Sequence, residues 1–161
     1  MYERLLVALD GSPAAERVLE HAEALATAFG SQITLLRATL SPEMVLAQTS
    51  AGDANVGQIA PTLDPDPVLE ADHQTASEYL SGVAQRLRQT GSLTVNVESP
   101  EGPANTVIVE RAAAMNASLI LMTTHGRSGL GRMVFGSTAD SVLRHATCPV
   151  LLVRIHDERP S

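Results

Sequence analysis

The chain has 161 residues, 44% of them hydrophobic and 18% charged, and a net charge of −7. This length and composition are typical of one folded domain with a substantial core, and the acidic balance argues against nucleic-acid binding, which requires a clustered basic surface. All 11 basic residues are arginine, which excludes a Walker-type P-loop, a Schiff-base lysine and the catalytic lysine of protein kinases.

The first forty residues predict a strand, a helix and a second strand. Residues 5–9 form a short apolar run, which indicates a buried strand. In the turn that follows, Ser12 is expected to be the N-cap of a helix and Pro13 its first residue. Apolar residues then recur at helical spacing, and residues 33–36 form another apolar run. Two strands that flank a helix in this way make a right-handed βαβ unit.

Residues 41–68 interrupt this pattern, because they are rich in proline, glycine, aspartate and small polar residues. The composition predicts a long flexible insert, either a loop with little order or a lid over a ligand. Helical spacing of apolar residues returns at Ala76 and stops at Gly91, so we expect a helix between these positions.

The second half of the chain again alternates strands and helices. Residues 93–97 alternate apolar and polar side chains, which is typical of an edge strand. Gly102 and Pro103 then precede a helix with one apolar face. Three further elements are predicted: a buried strand at 119–122, a helix with Ala139, Val142, Leu143 and Ala146 on its buried face, and a final strand at 150–153.

This order of elements predicts a three-layer α/β sandwich around a parallel five-stranded sheet. A single domain is expected over residues 1–155, with a polar tail at 156–161. The N-terminal apolar run is too short for a signal peptide or a membrane helix, so we expect a cytoplasmic protein that does not bind membranes.

The segment between the fourth predicted strand and the last helix contains the main functional motif. It holds four glycines and is closed by Ser137 and Thr138. Glycine lets backbone N–H groups approach a ligand closely, and a helix start near Ser137 adds unpaired N–H groups and the positive end of the helix dipole. These features predict a phosphate site, although a glycine-rich loop can also serve only as a turn.

The same segment resembles the nucleotide motif of the universal stress protein family, which reads Gly, two residues, Gly, nine residues, then Gly and Ser or Thr. Gly126 fits the second glycine, and nine residues separate it from Gly136 and Ser137. Thr123 stands where the first glycine is expected, so its side chain occupies space that a ribose or phosphate needs. The resemblance covers residues 1–40 and 93–155.

The resemblance implies a Rossmann-like sheet of strand order 3-2-1-4-5. In that order the first and fourth strands are neighbours at the switch point where ligands bind, which brings Asp10 and Thr123 to one crevice. It also implies ATP as ligand, with Mg²⁺ or alternatively Mn²⁺. A homodimer is implied as well, in which the edge strand at 150–153 pairs with its copy.

The resemblance further implies a set of ligand-contacting residues. Asp10 could contact ribose hydroxyls or Mg²⁺, or it could cap the turn that follows it. His125 could contact phosphate or form a hydrogen bond within the turn. Arg127 could contact phosphate or be solvated. The implied nucleotide-binding residues are Ala8, Leu9, Asp10, Ala38, Thr123, Thr124, His125, Gly126, Arg127, Ser128, Gly129, Gly136, Ser137, Thr138 and Ala139.

The function predicted on this basis is nucleotide binding by a stress-response protein that acts through conformation and dimerisation. One alternative is a dimeric interaction module of the same family that has lost nucleotide binding, which Thr123 favours. Another is a slow ATP hydrolase or adenylyl-transferring enzyme of a related fold. No catalytic residues are assigned, since the chain has no lysine and shows no readable Ser-His-Asp or Cys-His arrangement.

Overall fold

The computed structural model describes residues 1–50, 64–125 and 136–155. In these residues, one sheet of five strands has the order β3-β2-β1-β4-β5, and every strand pair is parallel. The predicted architecture and strand order are therefore confirmed. The strands are Arg4–Ala8 (β1), Gln32–Leu36 (β2), Thr94–Glu98 (β3), Leu119–His125 (β4) and Val150–Ile155 (β5).

Helices cover both faces of the sheet, as expected for parallel strands. A short 3₁₀ helix at Ala15–Val18 precedes the first α-helix. None of the helices in the described ranges is long and apolar enough to cross a membrane. The α-helices are Leu19–Phe29 (α1), Pro42–Ser50 (α2), Asp66–Thr90 (α3), Ala104–Ala114 (α4) and Ser137–His145 (α5).

Successive side chains of β1 enter two different cores, because side chains alternate across a strand. Leu5 and Val7 face the core that contains residues of α1 and α3. Leu6 and Ala8 face the core that contains residues of α4 and α5. Leu5 and Leu6 are both fully buried, so truncating either to alanine should destabilise the fold by about 2–5 kcal/mol. The central strands thus fix the positions of the loops that follow them.

The turn after β1 differs from the sequence prediction. Pro13 does not begin the α-helix; instead a turn and the 3₁₀ helix precede α1. The Ala15 N–H lies 3.1 Å from both the carbonyl oxygen and Oγ of Ser12, and this i→i+3 bonding is the 3₁₀ pattern. Ser12 therefore caps this turn, but the prediction that it is the N-cap of a helix is wrong, because the N-cap of the 3₁₀ helix is Ala14.

The predicted 41–68 insert contains more regular structure than its composition indicates. α2 occupies Pro42–Ser50, and α3 begins at Asp66, well before Ala76. The first turns of α3 are mostly exposed and so carry no apolar stripe for a periodicity search to detect. Residues 51–63 lie outside the described residues, and the flexibility of the insert stays a prediction.

Two side chains on the outer elements are more exposed than their patterns predict. Ala139 and Val142 of α5 are buried, but Leu143 is 40% exposed, so the prediction that Leu143 belongs to the buried face is wrong. The two-and-a-half turns of α5 present only a narrow stripe to the sheet. On β3, Val95 is buried whereas Val97 is exposed, in keeping with the edge position of this strand.

Candidate functional site

A cavity of about 220 Å³ lies where β1 and β4 end. These two strands are neighbours in the middle of the sheet, and the strand order reverses between them. Crevices of this kind, at the carboxyl ends of parallel strands, are where open α/β sheets bind ligands. The described lining residues are Ala8, Leu9, Asp10, Ala15, Ala104, Ile108, Met122, Thr123, Thr124, Gly136, Ser137, Thr138 and Ala139.

The cavity brings together most of the described residues that the sequence proposed, from both the β1 turn and the β4–α5 segment. Ala38 is not among the lining residues, and packs partly buried against the core of α4 and α5. His125 is the last residue of β4. Four further candidates lie outside the described residues, and their ligand contacts stay predictions: Gly126, Arg127, Ser128 and Gly129.

The N-terminus of α5 forms one wall of the cavity. Gly136 is the N-cap and supplies no side-chain hydrogen bond. The Asp140 N–H donates to the Gly136 carbonyl oxygen at 3.0 Å, so the amides of Ser137, Thr138 and Ala139 precede the first bond within the helix. Such amides and the helix dipole favour an anion.

Gly136 leaves open space at this wall. Apart from its two chain neighbours, no atom of the described residues lies within 4 Å of a Cβ atom placed on it, and its φ of −54° is accessible to any residue. The backbone conformation therefore does not require glycine here. The missing side chain instead leaves the start of α5 open to close approach from the cavity.

Asp10 contributes the only charged side chain among the described lining residues. Its Oδ1 atom accepts a hydrogen bond of 2.8 Å from the Ser12 N–H, so Asp10 does cap the turn. A carboxylate has two oxygens and several acceptor positions. The cap is therefore compatible with a contact between Asp10 and a ligand. The side chain is exposed at the mouth of the cavity.

The electrostatic environment of Asp10 extends to Tyr79 on α3. Burial raises the pKa of Tyr79 above the ordinary value of 10.0, and the carboxylates of Glu16 and Asp10 raise it further. Glu16 is itself paired with Arg86 of α3. The turn after β1 therefore faces α3 on one side and the cavity on the other.

Four lining residues were not selected from the sequence, because each is a residue type that is common at ordinary core positions. Ala15, Ile108 and Met122 are buried apolar side chains. Ala104 is the first residue of α4, and a helix that follows a parallel strand begins at the carboxyl edge of the sheet. The predicted topology could therefore have placed Ala104 beside the cavity. Nothing in the sequence distinguishes the other three from core residues.

The fold and the position of the cavity define a Rossmann-like α/β protein with a crevice at its topological switch point. The universal stress protein family matches residues 1–154. The chain belongs to this family.

One relative by sequence and two solved structures match most of this chain. A universal stress protein of Methanocaldococcus jannaschii is 27% identical over 155 residues, covering 96% of this chain and 83% of the relative. The Archaeoglobus fulgidus universal stress protein in complex with dAMP has a TM-score of 0.63 at 22% identity, covering 94% of this chain and 97% of that one. A universal stress protein in complex with cAMP has a TM-score of 0.65 at 19% identity, covering 96% and 98%.

Proposed function

We propose that this protein binds an adenine nucleotide, ATP in the first instance, in the cavity between β1, β4, α4 and α5. The observation that carries the proposal is the start of α5, where Ser137, Thr138 and Ala139 line the cavity and their amides precede the first helical hydrogen bond. This arrangement suits a phosphate group. Two structural relatives were solved with the adenine nucleotides cAMP and dAMP, which supports the same ligand class here.

The remaining walls suit the other parts of a nucleotide. Ala8, Ala104, Ile108 and Met122 supply apolar surface, against which a flat base can pack. Asp10 supplies carboxylate oxygens at the mouth, where they can accept hydrogen bonds from ribose hydroxyls. The three parts of the ligand thus correspond to three differently composed walls.

Mg²⁺ fits this site only as part of the nucleotide complex. Within residues 1–50, 64–125 and 136–155, no group of three or more His, Cys, Asp or Glu side chains could hold a metal ion. Mg²⁺ commonly binds through one or two carboxylates together with substrate phosphates and water. Asp10 could supply that one carboxylate, and the nucleotide would supply the phosphates.

The protein is proposed to hold ATP rather than to hydrolyse it quickly. Fast phosphoryl transfer requires positive charge on the β- and γ-phosphates and a group that orients the attacking oxygen, and the chain contains no lysine. We expect turnover below ~1 s⁻¹, the low end of ordinary enzymes. Phosphate release at several per second with saturating Mg-ATP, lost in His125→Ala, would instead favour the hydrolase.

The output is proposed to pass through conformation and dimerisation. β5 pairs with β4 and with no other strand in the described part of the chain, and its residues 150–153 are only partly buried. An apolar edge strand of this kind can pair with a second copy across a two-fold axis. The proposal therefore includes a homodimer through β5.

A dimeric interaction module without nucleotide is the second candidate, because Thr123 lines the cavity at the position where the family motif has glycine. One experiment separates the two. The purified protein is denatured, its supernatant is analysed for nucleotide by mass spectrometry, and Mg-ATP, AMP and cAMP are titrated calorimetrically. A co-purified nucleotide, or saturable binding of any of the three, supports the first candidate; the absence of both supports the second.

A further inference from the structure

Arg37 lies directly behind the turn that contains Asp10. It follows β2, and its backbone N–H donates to the Glu98 carbonyl oxygen at 3.1 Å. Its guanidinium is packed so closely against Gly11 that a Cβ atom there would lie 3.3 Å from Nη1 and 3.4 Å from Cζ of Arg37. Gly11 has a φ of +87°, so both its conformation and its contact with Arg37 favour glycine.

The other side of the Arg37 guanidinium is held by α3. Its Nη2 atom lies 3.6 Å from Oδ1 of Asp72, and both side chains are about four-fifths buried, with exposures of 19% and 22%. The guanidinium carbon also lies 5.9 Å from the centre of the Tyr79 ring, within the range of a cation–π contact. Arg37 is therefore enclosed between the β1 turn and α3.

Asp72 also contacts the chain where the 41–68 insert begins. Its Oδ2 atom accepts a hydrogen bond of 2.8 Å from the Leu40 N–H, two residues before α2 starts at Pro42. One carboxylate of α3 thus contacts Arg37 with one oxygen and Leu40, the residue before the insert, with the other.

We propose that Arg37 is a positioning residue for the nucleotide site, which it serves by holding the Asp10–Ser12 turn against α3 through Gly11 and Asp72. The expected effect of Arg37 on ligand affinity rests on the proposed nucleotide function, whereas its expected effect on the turn does not. Arg37 touches the turn at Gly11 and is not among the residues that line the cavity. It acts on the ligand through Asp10.

The test begins with the protein without ligand. Arg37→Met keeps most of the length of the side chain and removes the guanidinium. The ¹⁵N order parameters of Gly11 and Ser12 should then fall from rigid values near ~0.85 to below ~0.6, the range of a flexible backbone. Arg37→Lys restores the charge that Asp72 binds, so it should recover part of this order. Arg88→Met is the matched control, since it removes a guanidinium that donates to the Val95 carbonyl oxygen near the other end of α3.

The second part measures calorimetric affinity for AMP. Arg37→Met should weaken binding by about five- to tenfold, the size typical of coupled neighbours. In an Asp10→Ala background the same change should have almost no further effect, because Arg37 acts through Asp10. Additive losses from the two substitutions would show that Arg37 serves general stability and would overturn the proposal.

Three further outcomes are decisive. Unchanged order parameters in a folded Arg37→Met protein, or an equal loss in Arg88→Met, would overturn the inference whether or not AMP binds. Absence of AMP binding in the wild-type protein would count against the proposed function, while the order parameters would still decide the positioning role. If Arg37→Met does not fold, Asp72→Asn replaces it, because the amide keeps an acceptor oxygen for the Leu40 N–H.

Discussion

Asp10 accepts a hydrogen bond from the Ser12 backbone N–H two residues further on, and the same carboxylate lies at the mouth of the cavity. Capping and ligand contact can therefore be separated by the choice of substitution. Asp10→Asn keeps an acceptor oxygen but removes the charge, whereas Asp10→Ala removes both.

For this pair we expect Asp10→Asn to leave the thermal midpoint nearly unchanged and Asp10→Ala to lower stability by about 0.5–2 kcal/mol, as for loss of a cap. Both should weaken ATP binding, because a carboxylate accepts stronger hydrogen bonds than an amide. Calorimetry and thermal unfolding provide the two measurements. Full affinity in Asp10→Asn would leave Asp10 with a structural role alone.

Gly136→Val should abolish nucleotide binding while preserving the fold. A Cβ atom at Gly136 meets no atom of the described residues within 4 Å beyond its chain neighbours, but the added side chain would fill the approach to the α5 amides. Gly82→Val is the matched control, since Gly82 also has open space around it and lies on α3 outside the cavity lining. Equal ATP affinity for wild type and a folded Gly136→Val protein would remove α5 from the binding site.

Thr123 should limit affinity through its bulk. Thr123→Gly should tighten ATP binding only slightly, because the freed backbone costs about 0.5–1 kcal/mol. Thr123→Val keeps the shape without the hydroxyl and should bind as the wild type does. If both variants bind more weakly in calorimetry, the threonine hydroxyl is itself a ligand contact.

Leu151→Lys should shift the protein toward monomer in sedimentation velocity. The residue is the second of β5, where it pairs with Leu121 of β4, and a lysine on an edge strand opposes pairing with another strand. Leu143→Lys is the control, because Leu143 is already 40% exposed on α5. A dimer that persists in a folded Leu151→Lys protein must use another surface.

Tyr79 should make the protein sensitive to alkali. Because its pKa is raised in the folded state, the unfolded chain loses this proton first, and stability falls as the pH rises above the ordinary value of 10.0. Below that value both states hold the proton, and the contribution is constant. Chemical unfolding at pH values of about 9 and about 11 should show a smaller loss in Tyr79→Phe than in wild type. Tyr2→Phe should retain the wild-type loss.

The sheet could be predicted because its apolar runs are short, unbroken and separated by helical spacing, as at residues 5–9 and 33–36. Exposed helical turns leave no such pattern, so the start of α3 at Asp66 was missed. Within the site, glycine and hydroxyl positions such as Gly136 and Ser137 were visible as a motif. Ile108 and Met122 could not be recognised, because the same apolar residue types line cavities and fill cores.

The walls of the cavity come from opposite ends of the chain, from β1 near the N-terminus to α5 near the C-terminus. The cavity therefore exists only when the whole domain is folded, and a ligand in it binds the native state alone. At a concentration 100 times its Kd, such a ligand adds about 2.7 kcal/mol to the free energy of unfolding. The resistance of the protein to proteolysis would then increase with the concentration of the ligand. The amount of folded protein would increase with it.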